Sequence, residues 1–180
     1  PLVRQMAGPL FAAIATDTGW FRFPSVSAET YRVIARLIDV GVVPSEIYAD
    51  LYERDTLAKV KLRGLILSRT EPELDGALVH TYVLPEDFDR LGAVPSDTED
   101  SINKTLAVRH TKAAVILVGQ PRGGFKISFR SRCSLDCNKI AGEFGGGGHK
   151  AAAGAFLEGT LSDVQRRVLP LMIDALKTAT

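Results

Sequence analysis

The chain has 180 residues, 46% of them hydrophobic and 24% charged, with a formal net charge of +1. That length allows one large domain or two small ones, and the apolar share is enough for a packed core. No apolar run reaches membrane-spanning length and no signal peptide is visible, so a cytoplasmic protein without a membrane partner is expected. Cys133 and Cys137 lie four apart with no second cysteine pair, which speaks against structural zinc and for two buried thiols in a reducing compartment. The chain opens on Pro1, and Leu2, Val3 and Met6 already read as an amphipathic stretch, so it is expected to be a piece of something longer.

Apolar groups at Leu2, Val3, Met6, Leu10, Phe11, Ala13 and Ile14 suit a buried helix, or two helical pieces interrupted by Gly8-Pro9. Asp17 follows in Ala15-Thr16-Asp17-Thr18-Gly19. It is placed either as a ligand-binding carboxylate or as a cap or turn residue. Ser27 caps a helix whose apolar stripe is Tyr31, Ile34, Ala35, Leu37 and Ile38, ended by Gly41. Pro44 opens a short helix through Leu51. A more charged one runs from about Asp55 to Ser68 with Leu57, Val60, Leu62, Leu65 and Ile66 inward.

The character then changes. Leu78–Val83 reads as the first strand, Pro85 starts a helical turn, and Ser96 or Asp97 caps a helix carrying Ile102, Leu106 and Val108. Ala113–Val118 is a continuous apolar run, expected as a central strand. Gly119–Gly124 makes a hairpin-type turn into Phe125–Arg130. There Phe125, Ile127 and Phe129 alternate with Lys126, Ser128 and Arg130. Leu135–Ala141 reads as a short helix and Ala153–Leu157 as a strand. Ser162 and Gln165 form a capping box for a last helix, which Pro170 should kink or interrupt.

Charge is unevenly spread. Residues 71–100 carry nine acids and one base, whereas residues 104–150 carry nine bases and two acids. A segment with that excess of positive charge attracts phosphates. Within it stand Gly145, Gly146, Gly147 and Gly148, then His149 and Lys150. Four glycines can turn successive N–H groups to one side and form a concave nest for an anion. Arg130 and Arg132, two apart, add guanidinium forks if the strand stays straight. Together with Ser131 these residues make a phosphate or carboxylate site in which nothing is a nucleophile.

Gly146–Gly154 resembles the GGGHxxAAG signature of the DHH-associated C-terminal domain. Ser128-Phe129-Arg130-Ser131-Arg132 is similar to the S-x-R-S strand that precedes it in that family. Ala15–Gly19 is similar to the fourth motif of DHH phosphoesterases. The nearest group is the RecJ-like oligoribonucleases of NrnA type, which also act as 3′-phosphoadenosine 5′-phosphate phosphatases. The resemblance implies an α/β fold: a helical remainder of the DHH lobe over residues 1–68, a linker at 69–75, and a substrate-binding domain over 76–180. That domain would hold a mixed sheet flanked by helices. The resemblance also implies two manganese ions in the catalytic lobe, with Asp17 as one ligand. Arg130, Ser131, Arg132, Gly145–Gly148, His149 and Lys150 would hold the substrate, a short single-stranded RNA or DNA or a nucleoside phosphate; a homodimer is allowed for. No Asp-His-His occurs here, so this chain alone is expected to be inactive. Three alternatives stay open: a nucleic-acid-binding module without catalysis, a piece of a cyclic-dinucleotide phosphodiesterase, and the similar domain attached to alanyl-tRNA synthetases.

Overall fold

The computed structural model describes residues 4–179; Pro1, Leu2 and Val3 of the expected first helix lie outside the described residues. The chain divides into two compact units, 1–55 and 56–180.

The first unit is helical. Helices α1 (Arg4–Asp17), α2 (Ala28–Asp39) and α3 (Pro44–Tyr52) enclose Ala7, Phe11, Ala15, Ile34, Leu37 and Val42. Gly8-Pro9 does not interrupt α1, which runs through both. Pro9 deprives only the Gln5 carbonyl of its helical donor, and both residues are exposed, so water can replace that bond. Ser27 caps α2 as expected, in a reciprocal box with Thr30. Tyr31, Ala35 and Ile38 of its stripe face out, because this small unit has room for only Ile34 and Leu37 beneath α2.

The second unit is an α/β sandwich around a six-stranded mixed sheet of order β1-β2-β3-β4-β6-β5. The strands are β1 (Glu71–Glu73), β2 (Leu78–Val83), β3 (Ala113–Gly119), β4 (Phe125–Ser131), β5 (Gly147–His149) and β6 (Ala152–Leu157). Only β2 and β3 are parallel, and the rest of the sheet is antiparallel. Helix α4 (Leu57–Ser68), capped by Thr56, belongs to this unit: its Leu62 and Ile66 pack on Val79 and Val83. The first strand is β1, not 78–83. It lies inside the expected linker, held by pairing Glu71 with His80 at a sheet edge where Pro72 is tolerated.

Two helices lie in the β2–β3 crossover, α5 (Pro85–Leu91) and α6 (Ser101–Leu106). The single helix expected from Ser96 or Asp97 is in fact two pieces. A 3-10 turn spans Pro95–Thr98, Asp97 accepts the Val94 N–H, and left-handed Asp100 breaks the chain before α6. Val108 falls outside α6 and is exposed. The last helix, α8 (Leu161–Thr178), is capped by Thr160 with Asp163 and not by Ser162 with Gln165. It is unbroken at Pro170, which sits on the exposed side opposite Val164, Val168, Met172 and Leu176.

The two sheet faces are covered differently. On one face, Leu78, Val115, Leu117, Phe125, Ile127, Phe129, Ala153, Ala155 and Leu157 are buried under α8 and α7 (Cys137–Gly142). On the other, Val79, Val83, Ala114, Ile116 and Val118 are buried under α4, α5 and α6. That second cover reaches only β2 and β3. The same face of β4, β6 and β5 carries Lys126, Ser128, Arg130, Ala152, Gly154, Phe156, Gly147 and His149, none of them fully buried.

The covered half is pinned by an ion network. Asp87, at the start of α5, accepts from Arg69, from Arg90 and from the Leu84 N–H. Burial alone would raise the Asp87 carboxyl; the hydrogen bonds from Arg69, Leu84 and Arg90 outweigh it and hold the group below the usual carboxylate range.

Candidate functional site

The open half of the sheet carries Arg130, Gly147 and His149 of the predicted residues. Register pairs Arg130 on β4 with Ala152 on β6, and Ala152 with His149 on β5. Residues in register on antiparallel strands share a face, so Arg130 and His149 flank a methyl group in one row. Their backbones are two strand spacings apart, about 10 Å. Both side chains project from this one face, on either side of so small a middle residue. Arg130 is half-buried, and its Nη1 donates to the Phe129 carbonyl at 3.0 Å. His149 is exposed. Ser128, Gly154 and Gly147 form the next row and leave it almost bare.

The glycine run is not an open nest. The Gly145 N–H donates to Gly142 O at 3.0 Å, the Gly146 N–H to Ala141 O at 2.9 Å, and the Gly148 N–H to Asn138 Oδ1 at 2.9 Å. Three of the four donors are therefore spent inside the chain. The glycines serve close approach instead. A Cβ at Gly146 would stand 2.2 Å from Gly154 O, and one at Gly148 would stand 2.6 Å from Ala152 O. The run packs as the edge strand β5 against β6, with α7 as its clamp. Asp136 caps α7 by accepting the Asn138 and Lys139 N–H groups, Asn138 holds Gly148, and the Cys137 N–H holds Lys150 O at 2.8 Å. The sequence shows the motif but not this clamp, because Asn138 lies ten residues from its partner.

The remaining predicted residues are placed less uniformly. Ser131 alternates to the packed face, where its hydroxyl accepts the Cys133 N–H at 3.2 Å. Arg132 lies past the end of β4, with its N–H on Lys112 O. Lys150 is exposed in the β5–β6 turn. Cys133 is half-buried and only Cys137 is fully buried; both are free thiols. Burial pushes the Cys137 thiol up to about 11, against the pull of the Arg130 charge, so it is protonated at neutral pH and no nucleophile.

Asp17 belongs to the first unit. It is the last residue of α1, exposed, and borders a shallow depression with Ala13, Ile14 and Thr16. A carboxylate at a helix C-terminus opposes the helix dipole, so it is not there to stabilise α1. Two residues further on, Gly19, Trp20 and Phe21 all take left-handed φ (56°, 56° and 62°). For two bulky residues that is strained, and such strain gathers at functional sites. A two-manganese centre needs several carboxylate and imidazole ligands together. Among the described residues no group of three or more His, Cys, Asp or Glu is placed to hold an ion. Asp17 can supply one ligand to such a centre and does not make one by itself.

With this geometry in hand, the comparisons with known proteins define the class. Residues 80–178 match the DHHA1 domain model, and the chain belongs to that family. More particularly, it is 34% identical over 178 residues to the bifunctional oligoribonuclease and PAP phosphatase NrnA of Thermus thermophilus, covering 97% of this chain and 52% of the relative. The Bacillus subtilis protein of the same name is 28% identical over 146 residues, 81% of this chain and 45% of the relative. The crystal structure of an exopolyphosphatase-related protein from Bacteroides fragilis superposes with a TM-score of 0.86 at 26% identity, covering 98% of this chain and 51% of that one. The chain thus spans about half the length of the curated relatives it matches.

Proposed function

We propose that this chain is the substrate-holding part of a phosphoesterase that hydrolyses short oligoribonucleotides and nucleoside 3′,5′-bisphosphates. The observation that carries it is the Arg130–Ala152–His149 row on a part of the sheet that the second unit's own helices leave uncovered. Two donors of different strength stand in one row on either side of a small residue, which suits a phosphate oxygen cluster. The names borne by its relatives support the substrate class. Arg132 and Lys150, exposed nearby in the chain, add charge at the rim. Asp17 is one carboxylate of a manganese centre whose other ligands these residues do not supply. The chain alone therefore binds substrate without turning it over. Two unpaired thiols are in keeping with work in the cytoplasm.

The test is titration calorimetry with 3′-phosphoadenosine 5′-phosphate. A charge-assisted hydrogen bond is worth about 1.5–3 kcal/mol, so Arg130→Ala is expected to weaken binding tenfold or more. Unchanged affinity moves the phosphate elsewhere. Phosphate release by the purified chain with manganese, abolished by a chelator, would refute the non-catalytic role.

A further inference from the structure

The open half-face does not end at the Arg130–His149 row. Phe156 is 49% exposed on β6, whose other side is packed into the core. It pairs in register with Lys126. With Gln120, Pro121, Arg122 and Gly123 of the β3–β4 hairpin, these two line a depression of about 540 Å³. A Cβ added at Gly124 would stand 2.7 Å from Phe156 Cζ, so the hairpin glycine makes room for the ring tip and seats it at the wall of the depression. Lone exposed apolar residues are ordinary on protein surfaces. Phe156 differs in its setting. It is flanked by two cations, Arg122 and Lys126, whose side chains make no hydrogen bond or ion pair among the described residues. Glu158 lies two residues further along the chain.

We propose that Phe156, Lys126 and Arg122 form a second nucleotide subsite: a stacking platform for a base of single-stranded nucleic acid, while a phosphate of a different nucleotide of the same strand is held at the Arg130–His149 row. The subsite rests on the reading of that row as the phosphate site. Every base presents a π-face, so an aromatic on an open sheet stacks without regard to sequence, and adjacent cations hold the backbone. Between the two sites lies Gly154, which leaves the floor free for a strand to cross. The four residues from Ala152 to Phe156 span about 13 Å. A nucleoside bisphosphate held at Arg130 does not bring its own base that far. The base at Phe156 therefore comes from another nucleotide of the same strand, and the subsite favours oligonucleotides over single nucleotides.

The experiment uses two probes: a fluorescein-labelled oligoadenylate pentanucleotide followed by anisotropy, and 3′-phosphoadenosine 5′-phosphate followed by calorimetry. Phe156 is exposed, so Phe156→Ala keeps its fold. Loss of one base–aromatic stack should weaken the pentanucleotide at least fivefold, leave the bisphosphate within twofold, and be rescued by Phe156→Trp. Arg130→Ala should weaken both probes. If Phe156→Ala binds the pentanucleotide like the parent while Arg130→Ala does not, the subsite is wrong and the phosphate row stands. Equal loss of both probes in Phe156→Ala also overturns it, since the ring would then serve the same nucleotide. Unchanged binding of both probes by Arg130→Ala removes the phosphate row, and the subsite goes with it.

Discussion

The two halves of the sheet in the second unit are built from different kinds of strand. β3 is apolar at every position and buried on both faces, with α8 on one side and α6 on the other. β4, its neighbour, alternates, and only Phe125, Ile127, Phe129 and Ser131 are buried. The chain spends its helices on the first half and leaves the second half one bare face. The residues on that face are free of packing duty, which is what a ligand platform requires. Stability and binding should therefore separate along the β3–β4 boundary.

The largest expected effect lies in the covered half. Leu62 is fully buried between α4 and the sheet. Leu62→Ala should cost about 3 kcal/mol in urea unfolding, with the affinity of the folded protein for 3′-phosphoadenosine 5′-phosphate unchanged. A large affinity loss at full folding would mean that the halves are not independent.

A smaller effect is expected at the glycine hairpin, and it sharpens the comparison by sorting one glycine from another. Gly148 has φ of 152° and a Cβ there would strike Ala152 O and Ala153 Cα, both at 2.6 Å. At Gly147 the nearest atom is Asn138 Oδ1, at 3.6 Å, and φ is not positive. Gly148→Ala should cost about 1–3 kcal/mol and weaken nucleotide binding by displacing His149. Gly147→Ala should be close to neutral in both measurements. Equal costs would restore the open nest that the structure rejects.

The smallest effect is a pH dependence confined to the covered half. His80 is lowered from 6.5, first by burial, with Glu73 and Glu71 opposing; its Nδ1 is buried without a partner and its Nε2 is 3.7 Å from Glu73. The folded state holds this imidazole neutral while the unfolded chain takes up a proton. Its contribution is thus complete above about pH 6.5 and is lost as pH falls from there through the folded value. Urea midpoints measured from pH 7.5 to 5 should fall, and His80→Gln should flatten the slope. An unchanged slope would assign the acid sensitivity elsewhere.

Much of this was readable before any coordinates. The continuous run of β3, the alternation of β4, and the glycine–histidine motif each carry a strong local signal, and the structure has the mixed α/β sheet they imply. The failures have physical causes. β1 is three residues long with a proline in the middle, so pairing creates it and no periodicity announces it. Pro170 does not end α8, because propensity ignores where the lost hydrogen bond points: Pro170 and Arg166 are both exposed. The sequence does not mark the face of Phe156, because Ala152-Ala153-Gly154-Ala155 before it shows no alternation. Its face follows only from its register with Lys126.

The sheet ends in β1 on one side and β5 on the other, each three residues long. Exposed strand edges invite other chains to add to them. Here Glu71, Pro72 and Glu73 place two like charges and a missing donor on one border, and Gly147 and Gly148 give the other little side-chain surface to grip. Each border is too short to template a long strand. Neither border therefore offers another chain a long row of free backbone groups.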